Sequence, residues 1–357
     1  MTARTTRHWL DLPISVPAAT YRIGLVGAGG IVTGSHLPAY RSRGWTVSRI
    51  ASRTLAAAQA AATEFGIPQA SDDWRTVVTA DDVDVVDISL PPHLQPEVCA
   101  AAFAAGKHVL VQKPMAVDLA TATTMVDAAD AAGVQFAVNQ NGRWDPSIRA
   151  CRRLIDDSVF GQLVTASMHL RTRQPWQSFW EGGDYPRLML LGMSIHHLDQ
   201  FRYLFGEPVE VTALTSRYPG QPWPGESIAY YALRYADGLI ASGFDDGFPW
   251  IRDWKVTWRV EGLDAIAIGD IGWPTGGFSS LRYTTSDSPD SWIEPGFTDK
   301  WFPDAFAGTM GALFDAIATG RPATTSGRDN LHTLRLVEAC YLSAAERRTV
   351  LIEEIPL

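Results

Sequence analysis

Two short segments and one glycine turn carry residue types that could do chemistry. His196 and Asp199 lie in Ser194-Ile195-His196-His197-Leu198-Asp199. Read as a helix, the segment puts His196 and Asp199 on one face at i,i+3. The carboxylate can then orient an imidazole that takes or gives a proton near neutral pH. His197 points elsewhere, toward substrate or a second subunit. Lys113 follows the apolar run His108-Val109-Leu110-Val111-Gln112. Only four of the 30 basic residues are lysines, at 107, 113, 255 and 300, so a lysine at a strand end reads as a compact ammonium kept to polarise an oxygen. Taken singly, each has a plainer reading: Lys113 as a strand-end lysine in solvent, His196 as a helix histidine bonded to a carbonyl.

Gly27-Ala28-Gly29-Gly30-Ile31 follows the apolar run 21–26 and opens a helical stretch. Gly27 permits a tight turn, Gly29 lets the backbone approach a pyrophosphate, and the helix N-terminus favours an anion. Val32 stands where the dinucleotide fingerprint has its third glycine. After the second strand come Ser52, Arg53 and Thr54, with no carboxylate for ribose hydroxyls. These residues suit a 2′-phosphate, which favours NADP over NAD.

The elements that must position these groups alternate over the first 143 residues. Strands are expected at 21–28, 46–51, 84–90, 107–112 and 134–139, with helices at 31–43, 55–65, 94–105 and 117–132. That alternation predicts an α/β fold: an N-terminal Rossmann domain with a doubly wound parallel sheet at 21–143, after an extension at 1–20. Residues 144–357 predict a second α/β domain with a largely open mixed sheet. Its strands fall at 162–171, 208–217, 227–235, 238–244, 254–261 and 264–269. Its helices fall at 147–157, 192–205, 303–319 and 327–346, and a Gly/Pro/Trp-rich stretch at 272–300 reads as irregular.

Composition narrows the function. A net charge of −9 without basic runs excludes non-specific nucleic-acid binding. No apolar stretch has the length of a membrane span. Cys99, Cys151 and Cys340 are scattered and odd in number, so neither a disulfide framework nor a metal site is expected. With no apolar core region in 1–20, the expected location is cytoplasmic. Most of the 13 tryptophans lie after residue 170. Among them Trp176 and Trp180 could wall a sugar, although core or interface packing explains any single Trp as well.

Gly27-Ala28-Gly29-Gly30-Ile31, Pro91-Pro92-His93-Leu94-Gln95, Ala105-Gly106-Lys107-His108-Val109-Leu110-Val111-Gln112-Lys113-Pro114, Asn141-Gly142-Arg143-Trp144-Asp145-Pro146 and His196-His197-Leu198-Asp199 occur in this order. The tail runs from Gly320-Arg321-Pro322 through Ser326 to Glu338-Ala339. Together they make the chain resemble the glucose–fructose oxidoreductase / inositol dehydrogenase (Gfo/Idh/MocA) family over roughly 21–353. The chain departs from the family pattern at three positions: Gln112 replaces the Glu before the lysine, Gly192 replaces an Asp, and Gln95 stands where a histidine is frequent.

The resemblance implies hydride transfer between a bound NADP or NAD and a secondary alcohol or ketone of a sugar, cyclitol or related polyol. His196 would be the acid–base group, oriented by Asp199, and Lys113 would hydrogen-bond the reacting oxygen. The dinucleotide would lie along Gly27, Gly29, Gly30, Ile31, Ser52, Arg53, Thr54, Leu90, Pro91, His93, Gln112, Lys113 and Asn141. Substrate would meet Lys113, Arg143, Trp176, Trp180, His196 and His197. A homodimer or homotetramer is also implied. Two other readings stay open: an NAD-dependent glycoside hydrolase or lyase that oxidises its sugar transiently, and a cofactor-binding regulator without catalysis.

Overall fold

The structure is a computed structural model that describes residues 8–15, 17–172, 186–247, 255–272 and 277–357. The chain divides into two compact units, one built on 15–141 with 303–338 and the other on 142–302 with 1–14 and 339–355.

The first unit holds six parallel strands: β1 (Ile23–Val26), β2 (Val47–Ala51), β3 (Gln69–Ser71), β4 (Val85–Ile88), β5 (His108–Val111) and β6 (Phe136–Val138). Their order is β3-β2-β1-β4-β5-β6. Strands β1, β4 and β6 are buried along their whole length, as a sheet covered on both faces requires. Between them run α1 (Leu37–Ser42), which continues a π-helical turn at Val32–His36, then α2 (Leu55–Phe65), α3 (Arg75–Val78), α4 (Gln95–Ala104) and α5 (Leu119–Ala132). Local chemistry sets the helix ends. Thr54 Oγ1 accepts from Ala57 N and Asp118 Oδ1 from Thr121 N, while Gly66 and Gly133 close α2 and α5 in the left-handed region. Lys107 donates to the carbonyls of Ala80 and Val83, both at 2.8 Å, which accounts for one of the four lysines as structural.

The second unit is a mixed sheet of eight strands. They are β7 (Leu163–Arg171), β8 (Glu210–Ser216), β9 (Ile228–Arg234), β10 (Ile240–Asp246), β11 (Lys255–Gly262), β12 (Ala265–Ile271), β13 (Ser280–Thr285) and β14 (Val350–Leu351). The order is β13-β12-β11-β7-β10-β9-β8-β14, with β7 and β10 parallel and the other pairs antiparallel. One face is core, with Ala166, Met168, Tyr231, Leu233 and Trp258 buried on it. Helices α6 (Pro146–Asp156) and α7 (Ile195–Phe205) pack on that sheet. Asp145 caps α6, accepting from Ser147 N at 2.9 Å and Ile148 N at 3.2 Å.

Three expectations need correction. Short β3 and two-residue β14 carry too little periodicity to be seen in the sequence. β13 lies inside the stretch read as irregular, where its Tyr283 exchanges backbone hydrogen bonds with Ile293. A single cut near residue 143 also fails. Helix α8 (Asp304–Thr319) belongs with the first unit, where Phe306 packs on the His36 ring and Phe314 on Tyr21. Helix α9 (Gly327–Glu346) starts in that unit too, with Gly327 against Phe136. The N-terminal residues instead join the second unit, where Leu10 and Ile14 are buried and Asp11 accepts from Thr298 N at 3.1 Å. Among the described residues, no helix is long and apolar enough to cross a membrane.

Gly27 and Gly30 separate two effects of the glycine turn. Gly27 has φ +115°, and a Cβ there would collide with the Ser89 carbonyl oxygen; a Cβ on Gly30 meets nothing within 4 Å. Gly27→Ala is expected to cost about 1–3 kcal/mol of stability in urea titrations. Gly30→Ala is expected to leave the urea midpoint unchanged.

Candidate active site

Six parallel strands bring every strand exit to one edge of the first unit's sheet. Gly27 follows β1, Ser52 follows β2, Leu90 and Pro91 follow β4, Gln112 and Lys113 follow β5, and Asn141 follows β6. The order reverses between β1 and β4, the crevice where open α/β sheets bind nucleotides. The helix after β1 begins over Gly30 and Ile31, with Gly29, Gly30 and Ile31 exposed. Gly29 and Gly30 would each send a Cβ into open space. An exposed cradle at a helix N-terminus fits a pyrophosphate, so these residues suit a dinucleotide. Leu90 and Pro91 are half-buried, His93 is exposed and Asn141 is buried. Ser52 is half-buried and Arg53 exposed beyond β2. Thr54 Oγ1 caps α2 by accepting from Ala57 N at 3.3 Å, which leaves its hydroxyl proton to donate elsewhere.

The loop that presents Lys113 is held from below. Buried Gln95 directs its carboxamide nitrogen at three carbonyls, those of Gln112 at 3.1 Å, Pro114 at 2.9 Å and Met115 at 3.2 Å. The Lys113-Pro114 peptide is cis. Lys113 is half-buried, and desolvation of its ammonium lowers it from the ordinary lysine range to about 7. Beneath the loop lies a polar cluster that sequence reasoning missed. His36 Nδ1 is 2.6 Å from Asp87 Oδ2, and Tyr40 donates to the same oxygen at 2.6 Å. His36 Nε2 is 3.2 Å from both Gln112 Nε2 and Asn139 Nδ2. Burial and the Asp87 charge push the Tyr40 phenol well up. A signal was present: Asp87 interrupts an otherwise apolar buried strand, and such an acid must find partners.

In the second unit, Arg143 sits in a short turn at Asn141–Trp144, and α7 carries His196, His197 and Asp199. All four are buried. Asp199 is engaged by two arginines. Arg143 Nε and Nη2 donate to its two carboxylate oxygens, both at 2.7 Å, and Arg202 stands 3.7 Å away. The guanidinium fork matches a carboxylate better than one imidazole nitrogen does. The same bond gives Arg143 a structural duty beside any contact with substrate. His197 also faces an acid, its Nδ1 lying 2.8 Å from Asp245 Oδ1 on β10. Tyr231 donates to the other oxygen of Asp245 at 3.2 Å, and burial with that charge pushes its phenol up. His196 lies edge-on to Trp301 at 5.8 Å between ring centres.

Gly192 falls in the π-helical turn Leu190–Ser194 that precedes α7. Buried Glu226 fixes the start of this run, accepting from Leu188 N, Leu190 N and the Tyr341 hydroxyl. Trp176 and Trp180 lie outside the described residues. The site residues therefore fall into two groups, the dinucleotide edge with Lys113 in one unit and Arg143 with the α7 residues in the other.

Comparison with known proteins agrees with this architecture. Residues 21–140 match an oxidoreductase family with an NAD-binding Rossmann fold, and residues 148–244 match the Gfo/Idh/MocA C-terminal domain. D-apiose dehydrogenase of Paraburkholderia graminis is 27% identical over 94% of this chain and 90% of its own length. A 1,5-anhydro-D-fructose reductase of Ensifer adhaerens is 32% identical over 70% of this chain and 75% of its own. The structure of a levoglucosan dehydrogenase with NADH and levoglucosan superposes with a TM-score of 0.82 at 21% identity, covering 95% of this chain and 100% of that one.

The Arg143–Asp199 pair makes a test of what Asp199 does. Removing one partner of a buried ion pair strands the other, so Asp199→Ala is expected to lower stability by about 3–5 kcal/mol in denaturant titrations. Unchanged stability with a loss confined to kcat would restore Asp199 as the partner of His196.

Proposed function

The chain belongs to the Gfo/Idh/MocA oxidoreductase family, and from that premise we propose that it transfers hydride between NADP and a secondary alcohol or ketone of a sugar, cyclitol or related polyol. The observation that carries this reading is Lys113, an ammonium of lowered basicity at the strand edge that faces the dinucleotide cradle. D-apiose and inositol 2-dehydrogenases, aligned over more than nine-tenths of the chain, support the substrate class.

When bound, the nicotinamide accepts or returns the hydride. The protein's part is the proton and the charge. His196 takes the hydroxyl proton in oxidation and returns it in reduction. Lys113 hydrogen-bonds the reacting oxygen and stabilises charge that develops there. His197, oriented by Asp245, is the imidazole to test if His196 proves dispensable. Ser52 and exposed Arg53, which follow β2 in a segment of sequence without Asp or Glu, support NADP over NAD. Three buried free thiols support a reducing, cytoplasmic location. Tyr230 and Ile240, each more than two-fifths exposed on the sheet, support self-association through its open face as a homodimer or homotetramer.

His196→Ala and Lys113→Met are expected to lower turnover by factors on the order of 10²–10⁴ while dinucleotide binding persists. A screen of sugars and cyclitols that follows reduced-nicotinamide absorbance measures this; near-normal turnover by His196→Ala would pass the acid–base role to His197. The pH dependence has a defined sign. Lys113 carries its proton below about 7 and loses it above. Ketone reduction, which uses the ammonium, should therefore decline as pH rises through about 7. A limb that persists in residually active Lys113→Met belongs to another group. For the cofactor, Arg53→Ala should weaken NADP by about tenfold, the worth of one charge-assisted bond, and leave NAD unchanged. Fluorescence titration of both dinucleotides reads it; clearly tighter NAD binding by the unaltered protein refutes the preference.

A further inference from the structure

The peptide that presents Lys113 is anchored by the side chain before it. Lys113 N donates to Gln112 Oε1 at 2.8 Å. A backbone N–H can only donate, so the carboxamide oxygen faces it and the nitrogen faces away. That nitrogen also can only donate, and it lies 3.2 Å from His36 Nε2. His36 Nε2 is therefore the lone-pair nitrogen, and the ring proton sits on Nδ1. The far end of the cluster requires the same assignment, because Nδ1 faces the acceptor Asp87 Oδ2 at 2.6 Å. Asn139 Nδ2 is then a second donor to the Nε2 lone pair, and its Oδ1 can accept from Thr309 Oγ1 at 2.8 Å. His36, Asp87, Asn139 and Thr309 are all buried.

The titratable groups that face the imidazole are Asp87 from β4 and Tyr40 from α1. The remaining neighbours are uncharged: Gln112 beyond β5, Asn139 beyond β6, and Phe306 from α8. Each hydrogen bond from the Lys113 amide to the Asp87 carboxylate thus has one permitted sense.

We infer that Gln112 is a positioning residue for Lys113: His36, held by Asp87 as its Nδ1–H tautomer, locks the carboxamide, and the carboxamide fixes the peptide that sets the ammonium at the strand edge. The effect on turnover rests on the dehydrogenase reading, whereas the tautomer rests on this geometry alone. A carboxylate at position 112 would still accept from Lys113 N but would turn an acceptor toward the His36 lone pair. The lock would then close only when the ring takes a second proton on Nε2. The carboxamide closes it with a neutral ring and so without a pH requirement.

The experiment pairs ¹⁵N spectra of the histidine side chains of the full chain with kinetics of Gln112→Glu and Gln112→Met. In the unaltered protein, His36 should carry its ring proton on Nδ1, with Nε2 as the lone-pair nitrogen. In Gln112→Glu both ring nitrogens should be protonated at low pH. The ratio of its kcat to that of the unaltered protein should then fall as pH rises, with the midpoint of the His36 titration. Gln112→Met, which lacks both hydrogen bonds, should lose about tenfold in kcat at every pH, the cost of a misplaced reacting group. An Nε2–H or doubly protonated His36 in the unaltered protein overturns the inference, as does an unchanged kcat in Gln112→Met. If no sugar or polyol is turned over, the dehydrogenase reading fails while the spectra still decide the lock.

Discussion

Six strands that run the same way must all leave their sheet at the same edge, and everything the first unit offers to a ligand follows from that. The exits of β1, β2, β4 and β5 deliver a glycine turn, a polar loop, a Pro-Pro turn and a lysine to one edge. None of these segments is near another in sequence. The shape of the loop after β5 depends on side-chain amides underneath. Gln95 and Gln112 fill that role, one gripping three carbonyls and the other one N–H. Neutral carboxamides suit the place because they satisfy backbone groups without adding an unpaired charge to a desolvated region.

The second unit solves a related problem with charges. Helix α7 enters the core with two histidines, an aspartate and an arginine all buried. Each carboxylate there has a defined partner: Asp199 holds Arg143, Asp245 holds His197, and Glu226 takes the amides at the start of the helical run. Buried ions contribute little net stability, but losing one partner is costly, so such pairs fix register more than they add free energy. Two of these attachments lie on α7 and the third on the run before it, so the helix has little freedom to rotate.

Much of this was legible in the sequence. The 3.6- and 2-residue periods gave nearly every long element, because apolar runs such as Val85–Ile88 and caps such as Asp118 act locally. The placement of Lys113 followed from its position after an apolar strand. What sequence could not reveal was pairing across distance. Asp199 is three residues from His196, yet its partner Arg143 is 56 residues away. His197 and Asp245 are 48 apart, and His36 and Asp87 are 51 apart. Spacing along one helix suggests the nearest acid, whereas the folded core chooses the acid with the matching donor geometry. The chain's return to the first unit through α8 was hidden for the same reason, since an apolar helix reads alike whichever sheet it covers.

The lowered basicity of Lys113 also carries a liability. Near neutral pH a substantial share of this side chain is free amine, and free amines are nucleophiles that condense with aldehydes. Reducing sugars present such an aldehyde whenever their rings open. Under the proposed function this half-buried lysine would meet carbonyl compounds, and slow Schiff-base adduction would be the hazard that follows.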